Sequence, residues 1–463
     1  MGDSKPTVDK MGDSKPTVGN VGDAKPTGDD KKTTGEDKLL TIEKTGANRP
    51  IIEFYYPGDI IPIGTAYVSI LRKDLHLVMC ENCYSTPDDS MILCPTCKFT
   101  RYCGKECQEE AFADHQLECK ILPNLPEQFR EVVHMVGKVV LKVKGKDWNE
   151  IKEKFRDTDT YVSFADLKSY TEELKDDSYF QSFCKEMTTL VGKYIGEENM
   201  PEEDVFKEIL GKVKMNALTD TVHKRDINKL TKNPQMPSVF SIFLGISKLN
   251  YCCRPTGSIY VNRRRLVLCV NKQVLKDPDK VTYNCLPMVY YLCSDKVLNY
   301  STHMFFKECP CAECILPYGT SILTKVLDRE KAPKVLVATK EILRTANLID
   351  LKSLQDEVPK ETVDRVLRDQ DNVLGVTNIF RLRLLALRCF AYIGPLEDNI
   401  QTLEALVVGI QIAFGIYCRE LIPVYENLVE AYRRLGSSDK QNKQRLFSLK
   451  LLRLNRTIRD AFK

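Results

Sequence analysis

Seven cysteines and one histidine fall between Met79 and Lys120, spaced C-x2-C, C-x2-C, C-x3-C and H-x3-C. Cys80, Cys83, Cys94, Cys97, Cys103, Cys107, His115 and Cys119 are soft donors, and eight donors divide evenly into two four-coordinate zinc sites. With no coordination position left for water, such sites hold structure together and do no chemistry on a substrate. The competing reading, ordinary thiols of a reduced protein, has to explain eight such groups gathered in mostly polar sequence.

Those donors need short elements to aim them. A C-x2-C turn lets both thiolates of one knuckle reach the same ion, and C-x3-C or H-x3-C places donors one helical turn apart on a common face. So short a segment buries too little apolar surface to fold alone, so metal binding has to supply its folding free energy. Spacing leaves open which pairs share an ion. With Tyr102 just ahead of the third pair, the pattern resembles the MYND zinc finger. That resemblance implies that Cys80, Cys83, Cys103 and Cys107 share one zinc while Cys94, Cys97, His115 and Cys119 share the other. It also implies that the finger docks short proline-containing peptides.

A chain of 463 residues with 43% hydrophobic content has room for about three domains with real cores. It shows no secretory leader and no apolar stretch of about 20 residues, so no membrane span is expected. Leu403 to Tyr417, interrupted by Glu404 and Gln411, reads as a buried helix. The 18 cysteines are expected to be reduced or zinc-bound, in cytoplasm or nucleus, rather than in disulfides. A net charge of +4 gives no electrostatic case for nucleic acid.

Residues 1–39 open with three decapeptide copies, MGDSKPTVDK, MGDSKPTVGN and VGDAKPTGDD, and are expected to be a disordered tail. Pro6 argues against a myristoylation signal at Gly2. Residues 40–79 read as strands, with the runs IIEFYY and AYVSI parted by the turn Pro57-Gly58-Asp59. After the finger (80–119), residues 120–235 carry helical spacing, as in Phe129, Val133, Val136 and Val140, and in Phe180, Phe183, Met187 and Leu190. Strand signals return over 236–290 in SIFLGIS, GSIYV, RLVLCV and KVTYNC. Cysteines mark 291–318, and 319–463 reads as antiparallel helix pairs with breaks at Gly394, Pro395 and Gly436.

Cys309, Cys311 and Cys314 form a C-x-C-x2-C that lacks one donor, and the pair Cys252-Cys253 upstream can supply it. Finger, strand-rich core, cysteine-containing turn, C-x-C-x2-C and helical tail, in this order from about residue 44 onward, resemble the SET and MYND domain-containing family of lysine methyltransferases. The resemblance implies an α+β fold: a SET β-fold (40–79 and 236–290) split by the finger and a helical insert (120–235), a post-SET zinc site, and an all-α, TPR-like C-terminal domain. The family's Asn-His-Ser-Cys turn reads Asn250-Tyr251-Cys252-Cys253 here, which makes Cys253 the fourth ligand of a third zinc ion.

The resemblance also implies S-adenosylmethionine as methyl donor and a protein lysine as acceptor. The amine must arrive neutral and aligned with the sulfonium methyl in a narrow aromatic channel. Asn216, Asn250 and Tyr251 fall at cofactor positions, and Phe305 is the channel aromatic grouped with them. The family's Gly-x-Gly cofactor turn reads Gly46-Ala47-Asn48, where a side chain replaces the second glycine. The catalytic tyrosine position reads Cys285, a shorter and weaker hydrogen-bonding group than a phenol. Tyr283, two residues earlier on the same strand face, is the substitute candidate. Lys307 puts a cation where the channel usually has an aromatic, which repels an incoming lysine.

The last helix carries Lys443, Arg445, Lys450, Arg453, Arg456 and Arg459, and its Phe447, Leu451, Leu454 and Ile458 form an apolar stripe, so the cations read as a solvated face. His76, His134, His223 and His303 read as surface or satisfied core. Three function classes follow. The first is a monomeric adaptor that recruits proteins through finger and C-terminal helices, in transcription or chromatin, with methyl transfer weakened or lost. The second is an active lysine methyltransferase on histone or other proteins. The nucleic-acid binder ranks last.

Overall fold

The computed structural model describes residues 54–76, 78–86, 91–155, 159–220, 239–252, 254–262, 264–271, 281–283, 320–348, 351–392, 396–435 and 438–460. The decapeptide tail, Gly46-Ala47-Asn48, His223, Cys253, Cys285, His303, Phe305, Lys307, Cys309, Cys311, Cys314 and the breaks at Gly394, Pro395 and Gly436 lie outside them.

In chain order the elements are β1 (Ile60–Leu71), β2 (Ile92–Leu93), β3 (Arg101–Tyr102), α1 (Lys105–His115), α2 (Arg130–Val143), β4 (Lys152–Lys154), β5 (Tyr161–Ser163), α3 (Ser178–Ile195) and α4 (Glu203–Asn216). Then come β6 (Ala217–Asp220), β7 (Val239–Phe243), β8 (Asn250–Tyr251), β9 (Gly257–Asn262), β10 (Arg265–Val270) and β11 (Thr282–Tyr283). The remainder is helical: α5 (Ala332–Leu348), α6 (Leu351–Glu357), α7 (Lys360–Asp369), α8 (Ile379–Ala391), α9 (Leu396–Phe414), α10 (Leu421–Leu435) and α11 (Ser438–Asp460). No helix among the described residues is long and apolar enough to cross a membrane.

Five strands make an antiparallel sheet in the order β6-β7-β1-β10-β9. β1 is its hub, because its first half pairs with β10 (Ile60 opposite Cys269) and its second half with β7 (Leu71 opposite Val239). The run RLVLCV is apolar on every residue after Arg265 because both faces of β10 are covered. Leu266, Leu268 and Val270 join the core formed with α2, α3 and α4, while Val267 and Cys269 join the core formed with α8 to α11. Tyr260 on β9 reaches the same helices, its hydroxyl donating to the Tyr417 carbonyl at 2.7 Å.

Several expectations are corrected. The Pro57-Gly58 turn does not join two short strands; it leads into the single 12-residue strand β1. The helical block after the finger contains the hairpin β4–β5, with Lys152 opposite Ser163. SIFLGIS is a strand only through Phe243 and continues as a 3-10 turn over Leu244–Lys248. On α11 the stripe packs inward as read, with Phe447 stacked on Tyr432, but the outer face is not simply solvated cations, since Leu446, Leu449 and Leu452 are exposed there.

The Gly58 turn carries a direct test of the packing between β1 and the C-terminal helices. Gly58 has φ +99°, and a Cβ there would stand 2.8 Å from the Tyr417 ring. Gly58→Ala is expected to destabilise the protein by about 1–2 kcal/mol from the positive φ, and further if the ring has to move. Denaturant unfolding measures it; an unchanged midpoint would show that neither the turn nor Tyr417 is constrained.

Candidate metal centres and their seam with the core

The structure gathers the eight finger donors into two quartets, Cys80 with Cys83, Cys103 and Cys107, and Cys94 with Cys97, His115 and Cys119, with the ligand atoms of each lying within 4.8 Å of one another. Their pairing is interleaved, first knuckle with third pair and second with fourth.

The knuckles are the same turn used twice. Tyr84 N–H donates to the Cys80 carbonyl at 2.9 Å and Lys98 N–H to the Cys94 carbonyl at 3.0 Å. Each turn closes on a left-handed residue, Tyr84 at φ 56° and Lys98 at φ 53°. L-residues pay roughly 1–2 kcal/mol for that geometry, which an ion binding both thiols can offset. β2 and β3, with Ile92 opposite Tyr102, bring the second knuckle beside Cys103. The one-turn reading of the later pairs needs correcting. Cys103 precedes α1 and Cys119 follows it, so each pair straddles a helix end: Cys107 lies in the first turn and His115 closes the last.

The distances suit a metal. Cys83 and Cys103 sulfurs are 3.6 Å apart, Cys103 and Cys107 3.5 Å, and Cys94 and Cys119 3.8 Å. A tetrahedron with Zn–S bonds of about 2.3 Å has edges of about 3.8 Å, whereas a disulfide needs about 2.05 Å. His115 turns Nε2 toward its quartet, 3.3 Å from Cys94 Sγ and 3.8 Å from Cys97 Sγ. Burial holds its pKa below the usual histidine value despite nearby Glu118, which favours the neutral ring that ligation requires. Among themselves the thiols divide their protons unevenly: Cys83, hydrogen-bonded by Cys80 and Ser85, falls to about 4, while burial pushes Cys107 up to about 11 and Cys119 to about 12. A dication at the centre removes that conflict. The donor set fits zinc, and no position is left open for a substrate.

Sequence reasoning missed what joins this finger to the rest of the molecule. Glu81 follows Cys80 and Glu118 precedes Cys119, and both carboxylates point into a buried seam. Lys138 Nζ lies 2.6 Å from Glu118 Oε1, and His134 Nε2 lies 2.9 Å from Glu118 Oε2. Their side chains are 7%, 2% and 2% exposed for Lys138, His134 and Glu118. The Tyr194 hydroxyl donates to Glu118 at 3.4 Å. His76 Nδ1 lies 2.8 Å from Glu81 Oε2. Burial alone would raise the Glu118 pKa, yet Lys138 and His134 hold it well below the ordinary range. One signal was legible: His134 and Lys138 interrupt the apolar face VVHMVGKVV one turn apart.

The positions assigned to the cofactor are scattered differently. Parallel pairing of β8 with β11 sets Asn250 beside Thr282 and Tyr251 beside Tyr283. Tyr283 is 8% exposed, and its carbonyl accepts from Cys252 N–H at 2.9 Å. Asn216 ends α4, and its amide donates to the Lys168 carbonyl at 2.9 Å and the Lys212 carbonyl at 2.8 Å, so both hydrogens bind backbone. Cys252 is buried in the second core with Tyr260 and Val267.

Residues 74–119 match the MYND finger family. The mouse histone-lysine N-methyltransferase SMYD3 is 22% identical over 384 residues, covering 78% of this chain and 81% of that protein. The zebrafish N-lysine methyltransferase SMYD2-A is 22% identical over 408 residues, 86% of this chain and 89% of that protein. The human histone-lysine N-methyltransferase SMYD1 is 19% identical over 379 residues, 78% of this chain and 74% of that protein. With the finger matched and the likeness running through most of each chain, the comparisons support a member of the SET and MYND domain-containing family.

Proposed function

We propose that this protein is an adaptor built on the methyltransferase fold, held by zinc, which recruits other proteins through its finger and C-terminal helices and in which methyl transfer is weakened or lost. Cys285 at the position of the family's catalytic tyrosine carries the reading. A thiol offers neither the reach nor the hydrogen-bonding strength to orient a lysine amine. Gly46-Ala47-Asn48, Tyr251 and Lys307 depart from the pattern in the same direction. The zinc ligands, in contrast, are kept: the two quartets, and Cys309, Cys311 and Cys314 with Cys253 for a third ion. Burial of Cys252 among apolar side chains favours Cys253 as that fourth donor.

Asn216 already has a structural task, since its two amide hydrogens tie α4 to neighbouring carbonyls. Its retention is therefore explained without a cofactor. The active-enzyme reading draws on Asn250 and on Tyr283, which the β8–β11 pairing sets beside Tyr251.

Calorimetric titration of the zinc-loaded protein with S-adenosylmethionine separates the two. No heat of binding at millimolar cofactor is the expected result. Micromolar binding would overturn the adaptor reading and direct the search to a lysine substrate.

A further inference from the structure

α11 buries one face and presents another. Phe447 lies on Tyr432 with ring centroids 5.9 Å apart at 6°, and on Tyr425 at 6.0 Å. Leu454 is buried beside them. On the outer arc Leu446, Leu449 and Leu452 are 47%, 63% and 63% exposed, and Arg445, Arg453 and Arg456 are exposed among them. At about 100° per residue the six side chains fall within an arc of roughly 120°. No acidic residue occurs between Arg445 and Arg456. Three exposed leucines in consecutive turns make a contiguous patch, the kind that marks an interaction site.

Charge narrows the occupant. In a second copy, antiparallel pairing with a two-fold axis at Leu449 would set Arg445 against Arg453 on both sides, cation on cation. In a bilayer, cations flank the apolar arc of an interfacial helix. Here Arg445 and Arg456 stand between Leu449 and Leu452 in that arc, so seating the leucines would drag guanidinium groups among acyl chains. An acidic helix meets neither objection, because its carboxylates would fall where the arginines stand and its apolar anchors on the leucines.

We propose that the outer face of α11 docks an acidic amphipathic helix of a partner protein, with apolar anchors on Leu446, Leu449 and Leu452 and carboxylates on Arg445, Arg453 and Arg456. This names the partner class for the helical half of the adaptor reading and rests on it.

Fluorescence anisotropy on the full-length, zinc-loaded protein tests it with three labelled peptides: a designed helix of about 18 residues with leucines on one face flanked by glutamates, its scrambled sequence, and its lysine counterpart. The acidic helix is expected to bind in the micromolar range and the other two at least tenfold more weakly. L446Q/L449Q/L452Q should lose tenfold or more while remaining folded, since glutamine is a good helix former and Phe447, Leu451 and Leu454 are untouched. R445E/R453E should reverse the preference toward the lysine peptide. Equal binding of the scrambled peptide, or no loss in the triple-glutamine variant, would overturn the proposal. So would binding of phosphatidylserine vesicles, or a concentration-dependent dimer, that the triple variant abolishes. A protein that bound S-adenosylmethionine and also the acidic helix would sink the loss of catalysis while leaving this surface standing.

Discussion

Cys94→Ser is expected to release one zinc ion per chain and to melt α1, leaving the other quartet's ion bound loosely or lost. The reasoning starts from α1 itself. Its sequence KECQEEAFADH buries only Ala111 and His115, and a helix of this length is marginal in water without tertiary packing. What holds it is a donor at each end, Cys107 in its first turn for one quartet and His115 at its last residue for the other. Interleaving makes the two ions interdependent, because each clamps a knuckle to an opposite end of the same helix. Apparent binding free energies of structural zinc run to about 10–16 kcal/mol, far more than the apolar contacts inside the finger supply. Chromophoric release assays should count one zinc fewer, and hydrogen exchange should show α1 amides exchanging nearly as fast as in a free peptide. Unchanged zinc content with α1 still protected would show that Cys94 is not a ligand and that the second quartet does not hold the helix.

Lys138→Met should cost about 3 kcal/mol or more of global stability, a large part of the roughly 5–15 kcal/mol a domain possesses. Glu118, 2% exposed, would lose its Lys138 partner and keep the contacts from His134 and the Tyr194 hydroxyl, and Glu81 in the same seam would feel one cation fewer. Removing one partner of a buried pair costs more than removing both. E118Q/K138M should therefore recover a substantial share of the loss, which urea unfolding of the two variants resolves. A loss below about 1 kcal/mol in the single variant would show that water reaches the seam. The seam ties the finger to the core, since the finger supplies Glu118 and α2 supplies Lys138 and His134.

What the sequence disclosed follows from how local each signal is. The finger was legible to the residue because metal ligation is written in spacing, and because the family resemblance supplied the interleaved pairing that spacing left open. α3 was legible from Phe180, Met187 and their neighbours, and its start is fixed by Asp177 accepting from Phe180 N–H at 2.6 Å. The hairpin β4–β5 was missed because KEK and YVS are too short to show alternation. The end of β7 was missed because LGIS is as apolar as the strand before it; burial of Leu244 and Ile246 in a 3-10 turn looks identical in composition. RLVLCV was read as a strand, but the reason it lacks alternation, helices on its second face, is a contact between segments more than a hundred residues apart. The seam escaped for the same reason. Lys138 shows only as an interruption of an apolar helix face, and Glu118 looks like an ordinary surface charge until α2 is laid against the finger.

Native mass spectrometry of the full-length protein in excess S-adenosylmethionine tests the central claim, scaffold kept and cofactor chemistry lost, in one spectrum. The predicted result is a chain carrying three zinc ions and no cofactor adduct, falling to two zinc ions, or to one if the second quartet also empties, when the finger is opened by Cys94→Ser. A zinc-loaded chain that also carries one S-adenosylmethionine would contradict the account.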